Sequence, residues 1–384
     1  MTGTWWKDPS DLIQEQIDIL DLQLDKSLLI KGPPGSGKTN LLLLRANYMF
    51  LADRPNIGLI VLGSVLRNFI QLGSDLYKFP RDRVMTHSRL FSFIMGENDI
   101  VIDSTKMSFD EARTARLSAI EAIKKKGNLG KIYQGLLLDE AQDYLPAEIL
   151  LLRELSEVLV ATCDGKQKIY SGEDCTTELE NAVDVCCELK YHFRNGRAIC
   201  RVADAIMQGK PNYVSMTKFS HYDESEYPST VSVKKGLSVQ EQAQAIATQL
   251  RDQRLAYPEE VLGVICPRNE ELGIIQGQLA LTDLSSEVTR CNDTGFDPRR
   301  HIWLSTISAA KGLEFRTVHL AGLDYISAAG RDAQRRLAFT AVTRAKTALS
   351  LYYEKNVPPY LDNAIRIASP QTKAVSKDMI FGKE

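Results

Sequence analysis

The chain has 384 residues, of which 44% are hydrophobic and 25% charged, with a formal net charge of -2. That length is more than one ordinary core fills and implies two domains, and the near-neutral charge excludes a protein that coats nucleic acid by bulk positive charge. No apolar run nears the roughly 20 residues that span a bilayer, and the seven cysteines form no CxxC pair, so the expectation is a cytoplasmic protein with reduced thiols and no membrane partner.

In chain order, "SLLIKG", "IGLIVLG", "GLLLDE" and "VLVATCD" are short apolar runs that read as buried parallel strands. Between them, "KTNLLLLRANYMFLA", "VLRNFIQLGSDLYKF" and "AEILLLRELSE" carry helical spacing, and the alternation predicts a doubly wound α/β sheet. "SFDEARTARLSAIEAIKKKGN" reads as a helix inserted ahead of the third strand. The same grammar returns after about residue 185, where "VSVKK", "VLGVICP", "HIWLSTI", "TVHLAGL" and "ALSLYYE" read as strands and helices are expected near 196–208, 238–254, 268–281 and 331–345. "HYDESEYPST" is a polar loop inside this half, and Cys186 with Cys187 reads as strand.

"GPPGSGKT" follows the first strand and opens a helix, the context that a phosphate-binding loop requires. Gly32, Pro33, Pro34, Gly35, Ser36 and Gly37 would wrap phosphate oxygens with backbone amides at a helix N-terminus. Lys38 would reach the β and γ phosphates, and Thr39 would ligate Mg²⁺. The second acidic feature, "LLLDEAQD", ends a neighbouring strand. Asp139 there is the Mg²⁺ ligand, and Glu140 is the base for an attacking water, which makes the expected activity hydrolysis of ATP. Hydrolysis alone leaves Gln142 and Asp143 without a task.

These motifs resemble those of the UvrD/Rep-like superfamily 1 helicases, and the resemblance runs along nearly the whole chain. It assigns Gln16 of "EQIDIL" as the adenine-reading glutamine and places Asn40 beside the base. It gives Gln167 of "CDGKQKIY" the role of γ-phosphate sensor. In "YHFRNGRAI" it makes Phe193 the adenine-stacking ring and Arg194 a catalytic arginine. "STISAAKGLEF" supplies Glu314 for the ribose and Thr306 for the strand, and "RRLAFTAVTRAK" supplies Arg344 as the second arginine. Gln142 and Asp143 would then sit where the ATP site meets the nucleic-acid groove. Arginines brought by a second domain have a physical rationale of their own: they neutralise γ-phosphate charge only when the cleft closes. "LGSVLRNF" and "VMTHSRLF" would contribute Ser64, Asn68, Thr86 and His87 as phosphate or sugar contacts, residue types that serve equally as helix caps or loop hydrogen bonds.

The chain also departs from the family pattern. "IYSGED" puts Gly172 and Glu173 where a base-stacking tryptophan and an arginine are usual, Ser308 replaces a histidine, and Asn40 replaces an arginine. Tyr170 or Phe91 are the aromatic residues considered as substitutes. The resulting expectation is two RecA-like P-loop domains with parallel sheets, 1–185 with a small helical insertion at about 105–130 and 186–360, then a tail over 361–384, with ATP in the cleft between the domains. The expected function is a compact helicase or translocase ATPase on single-stranded DNA, binding weakly alone and acting with a protein partner such as a nuclease or effector. An ATP-gated switch or partner-binding subunit is the rival reading. A small-molecule P-loop kinase is a third, disfavoured by the arginines of the second half.

Overall fold

The computed structural model describes residues 6, 9–74, 77–127, 129–164, 173–211, 213–292, 295–326 and 332–368. Two six-stranded sheets organise them, and every strand pair in both is parallel. The first holds β1 (Leu28–Lys31), β2 (Ile57–Val61), β3 (Val84–Thr86), β4 (Tyr133–Leu138), β5 (Ser156–Cys163) and β6 (Val185–Glu188) in the order β3-β2-β4-β5-β1-β6. The second holds β7 (Thr230–Lys235), β8 (Leu262–Cys266), β9 (Val288–Arg290), β10 (Ile302–Thr306), β11 (Phe315–Leu320) and β12 (Ala345–Tyr353) in the order β7-β12-β11-β8-β10-β9. β2, β8 and β11 are buried at every position, as parallel strands covered by helices on both faces must be. This is the pair of parallel α/β units that the alternating sequence pattern predicts.

The crossover helices fall where helical spacing predicts them. Lys38–Leu51 follows β1, Ser64–Ser74 follows β2 and Pro146–Leu155 joins β4 to β5; in the second unit the helices are Arg197–Met207, Val239–Ala256, Asn269–Ala280 and Asp332–Val342. The inserted helix is Phe109–Lys125, started by Ser108, whose hydroxyl accepts from the Glu111 amide while Glu111 accepts from the Ser108 amide.

Three differences from expectation have simple causes. β3 and β9 have three residues each, too few to show a period of two, and so escape sequence reading. β6 pairs with β1 from Val185↔Leu28 to Glu188↔Lys31, so the first sheet runs past the expected division at 185. The segment read as a tail begins inside a helix, Pro359–Ala368, that packs Leu361, Ala364 and Ile365 into the core. Residues 369–384 lie outside the described residues.

The two units share a hydrophobic cluster. It includes Val65 and Leu66 after β2 and Ile307, Ala310 and Leu313 after β10. Within it, a Cβ placed on Gly312 would lie 2.7 Å from Leu66 Cδ1, and the Gly312 φ of 81° is itself unfavourable for other residues. Among the described residues no helix is long and apolar enough to cross a membrane.

Candidate nucleotide site and the cleft behind it

The loop between β1 and its helix turns through two left-handed glycines, Gly35 (φ 75°) and Gly37 (φ 86°), which bring its amides round to one side. Lys38 opens the helix, and its ammonium donates to the carbonyls of Gly32 and Pro33, both at 2.8 Å. Burial pulls the pKa of this ammonium down, against the attraction of Asp164, Glu140 and Asp139. Gln16 is buried beside the loop: its Nε2 donates to the Ser36 carbonyl at 2.9 Å, and a Cβ on Gly37 would meet it at 2.7 Å. Asn40 is also buried and accepts from the Tyr77 hydroxyl at 2.8 Å.

Asp139 follows β4 directly. One carboxylate oxygen accepts from Thr39 Oγ1 at 2.9 Å, and the other from Thr162 Oγ1 at 2.6 Å and from the Glu140 amide at 3.1 Å. Burial, then the neighbouring Glu140 charge, raises its pKa against those hydrogen bonds. Glu140 has φ 53°, ψ 44°, a left-handed conformation that non-glycine residues adopt at a cost on the order of 1–3 kcal/mol and that concentrates at functional sites. Burial opposes its ionisation, but Lys311, Lys38 and Arg344 hold its carboxyl below the usual range. Gln142 connects this group to the next strand end: Nε2 donates to Glu140 at 2.5 Å and Oε1 accepts from the Asp164 amide at 2.9 Å.

The second unit closes the site. The Phe193 amide donates to the Gly35 carbonyl at 3.0 Å, and a Cβ on Gly35 would meet Arg194 Cβ at 2.5 Å, so the phosphate loop and this segment are in contact. Arg194 Nε donates to Glu314 at 2.5 Å, and Lys346 holds the other oxygen of Glu314 at 2.8 Å. Burial disfavours the Glu314 charge, yet Arg194 and Lys346 prevail and set its pKa at about 2. Arg344 is buried between Asp332–Val342 and β12, donating to the Leu313 and Thr340 carbonyls at 2.9 Å. Its burial, with Arg194 nearby, lowers its pKa to about 9.

These residues surround a cleft of about 490 Å³ that is lined by Lys38, Thr39, Glu140, Phe193, Arg194 and Arg344, among others. Its far end is formed by the 221–227 loop. There Arg316 lies 4.3 Å over the Tyr227 ring and is ion-paired with the buried Glu260. Sequence reading took this loop for a connector, because nothing in a polar, turn-rich stretch shows what it covers.

A second cleft, of about 800 Å³, lies between the same two units and shares Glu140 with the first. Ser64, Thr86, Thr306 and Ser308 line it, which brings together three of the five residues expected to touch a strand. Thr86 also caps the helix His87–Gly96, accepting from the Arg89 amide at 3.2 Å. His87 departs from expectation: it is buried, 3.0 Å from Glu148 and 4.2 Å from the Phe91 ring, so it serves the core and faces no groove. Phe91 is fully buried as well and cannot present a ring to a base. Asn68 is absent from the cleft wall and accepts from the Arg67 guanidinium at 2.8 Å. Gln167, Tyr170 and Gly172 lie outside the described residues.

Lys311 is the residue that sequence reading passed over, although it stands inside the quoted "STISAAKGLEF". From the turn after β10 it lines the second cleft, pairs with Asp143 and lies 3.6 Å from Glu140, which lines both clefts.

The donor set around Lys38 suits a nucleoside triphosphate: inward-facing amides, a buried ammonium and two arginines from the opposite side. Among the described residues no group of three or more His, Cys, Asp or Glu forms a metal centre. Thr39 and Asp139 bring a hydroxyl and a carboxylate oxygen within 2.9 Å of each other beside the phosphate loop, oxygen donors of the type that a hard divalent cation takes.

Two parallel α/β units thus bring a phosphate-type loop from one side and two arginines from the other to a single cleft. Comparison with known proteins gives a match over part of the chain: residues 301–352 match the family model described as UvrD-like helicase C-terminal domain. Thr306, Lys311, Glu314, Arg344 and Lys346 all fall inside that span. No curated protein matches the chain. Among solved structures, the C-terminal domain of a possible DNA helicase from Lactobacillus plantarum WCFS1 is 18% identical with a TM-score of 0.32, covering 45% of this chain and 93% of that one. The PRRSV helicase is 17% identical with a TM-score of 0.40, covering 88% of this chain and 54% of that one.

Proposed function

We propose that this chain is a superfamily 1 helicase-type ATPase that couples Mg²⁺-dependent hydrolysis to binding and movement on single-stranded nucleic acid. The observation that carries this reading is the shared wall: Glu140 lines both clefts and lies beside a lysine from the opposite unit that is paired with Asp143. In the nucleotide cleft, Glu140 accepts the proton of the attacking water: Lys311, Lys38 and Arg344 keep it ionised despite its burial, so it is present in the form that can take a proton. Lys38, Arg194 and Arg344 meet the charge that develops on the transferring phosphoryl group. Thr39 and Asp139 would hold Mg²⁺, which neutralises phosphate charge when bound. Gln16 and Phe193 would frame the base and Glu314 the ribose, a reading supported by their shared place in the lining of this cleft.

A change in the second cleft that moves Lys311 alters the field at Glu140, which gives hydrolysis a direct dependence on the strand. Measuring ATP turnover with and without single-stranded DNA and RNA tests this. Turnover should be slow alone and accelerated by a strand. No hydrolysis under any condition, or hydrolysis indifferent to both strands, would overturn the proposal.

A further inference from the structure

The second cleft contains a feature that its strand-contact residues do not explain. Phe109, the first residue of the inserted helix, is 50% exposed and lines the cleft, with Met107 beside it 41% exposed. Such large apolar side chains are usually covered, and here they stand exposed in a wall that also carries Val65 and Leu66, which are buried, together with hydroxyls, amides and cations. Arg67 and Arg116 stand in the same wall, with Asn269 and Asn292 opposite. The two carboxylates there, Glu140 and Asp143, are both approached by Lys311. A ligand that complements this surface must carry negative charge at intervals and an aromatic face between the charges. Single-stranded nucleic acid has that chemistry; an apolar peptide does not, and a free anion leaves Phe109 unused.

We infer that Phe109 is a base-stacking platform for a single strand in this cleft, with Arg116 contacting a neighbouring phosphate. The inference rests on the strand-binding reading above and adds the residues that grip.

The platform is held firmly. Arg113, one helical turn along from Phe109, is buried, pairs with the fully buried Glu148 and donates to the Asp143 carbonyl at 3.0 Å. Ala112 and Arg116 continue the cleft face of the same helix. A ring carried on a helix anchored this way needs no backbone ordering when a base stacks on it, which favours binding. The same guanidinium links the platform to the loop that carries Asp143 and Glu140, so a gripped base bears on the segment that follows β4.

Stacking one base on one aromatic ring amounts to roughly 5- to 150-fold in affinity. The test uses fluorescence anisotropy with labelled oligodeoxythymidine and oligouridine, titrated with the full chain and with Phe109→Ala and Phe109→Trp. Phe109→Ala should weaken binding within that range, Phe109→Trp should restore it, and tryptophan emission of Phe109→Trp should be quenched as the strand binds. If the parent binds neither strand, the strand-binding reading falls and this inference with it. If the parent binds and Phe109→Ala binds equally well, or if Phe109→Trp is as weak as Phe109→Ala, the platform alone is overturned.

Discussion

Lys311, from the turn after β10, forms an ion pair with Asp143, from the loop after β4, and the two are among the most buried charges in the molecule. Each belongs to a different parallel sheet, so the pair exists only while the units stay together. A buried pair of this kind gives little net stability when intact, but losing one member leaves a charge in a place that water cannot reach. Its value lies in specifying one arrangement of the units, with Glu140 3.6 Å from the same ammonium.

Lys311→Met should therefore destabilise the protein by about 3–5 kcal/mol, and Lys311→Met combined with Asp143→Asn should recover much of that loss. Chemical denaturation of the two single variants and the double variant measures the coupling. Strictly additive losses would show that the pair carries no interaction.

Glu140→Gln keeps the shape of the side chain and removes its basicity. ATP turnover should fall by at least ~10²-fold while nucleotide binding persists, the usual scale for losing a general base. Single-turnover hydrolysis alongside equilibrium binding of a fluorescent ATP analogue separates the two effects. Unimpaired turnover would remove Glu140 from the proton-accepting role.

Much of this was legible before any coordinates because the features concerned are local. "SLLIKGPPGSGKT" and "LLLDEAQD" each place strand, loop and functional group within a few consecutive residues, and the long strands announce themselves as apolar runs fully buried on both faces. The rest depends on distant segments meeting. His87 reads as a polar contact because Glu148 and Tyr144, which meet its ring, lie more than fifty residues further along the chain. Lys311 reads as one more residue of its motif, because Asp143, its partner, lies 168 positions away in the chain. Phe109 looked like an ordinary helix start, since no local pattern reports that an exposed ring borders Ser64 and Thr306.

The two arginines of the nucleotide cleft should behave differently from each other. Arg194 is partly exposed and its Nε is bonded to Glu314, so Arg194→Ala should reduce turnover by roughly 10³-fold or more with little change in ATP affinity or stability. Arg344 donates to the Leu313 and Thr340 carbonyls from a fully buried position, so Arg344→Ala should reduce turnover and also lower the melting temperature. Normal hydrolysis by both variants would mean that the second unit contributes no charge to the reaction.

Glu148 supplies the last prediction. Burial opposes its charge, but hydrogen bonds from Arg113 and His87 hold its pKa at about 2, against roughly 4.3 for an exposed glutamate. A carboxyl whose pKa is depressed by folding contributes stability that is complete above its unfolded value and disappears as pH falls through the folded value. The window is thus from about pH 4.3 down to about pH 2, and the shift corresponds to stability on the order of 3 kcal/mol at neutral pH. Glu148→Gln, which cannot ionise, should be less stable than the parent at pH 7 and should approach it steadily as the medium is acidified through that window. Urea denaturation midpoints for both proteins, taken at several values from pH 7 to pH 2.5, provide the comparison. A gap that stays constant across the series would show that the Arg113 and His87 contacts do not depend on the Glu148 charge, and that this buried group holds the inserted helix to the loop after β4 by shape alone.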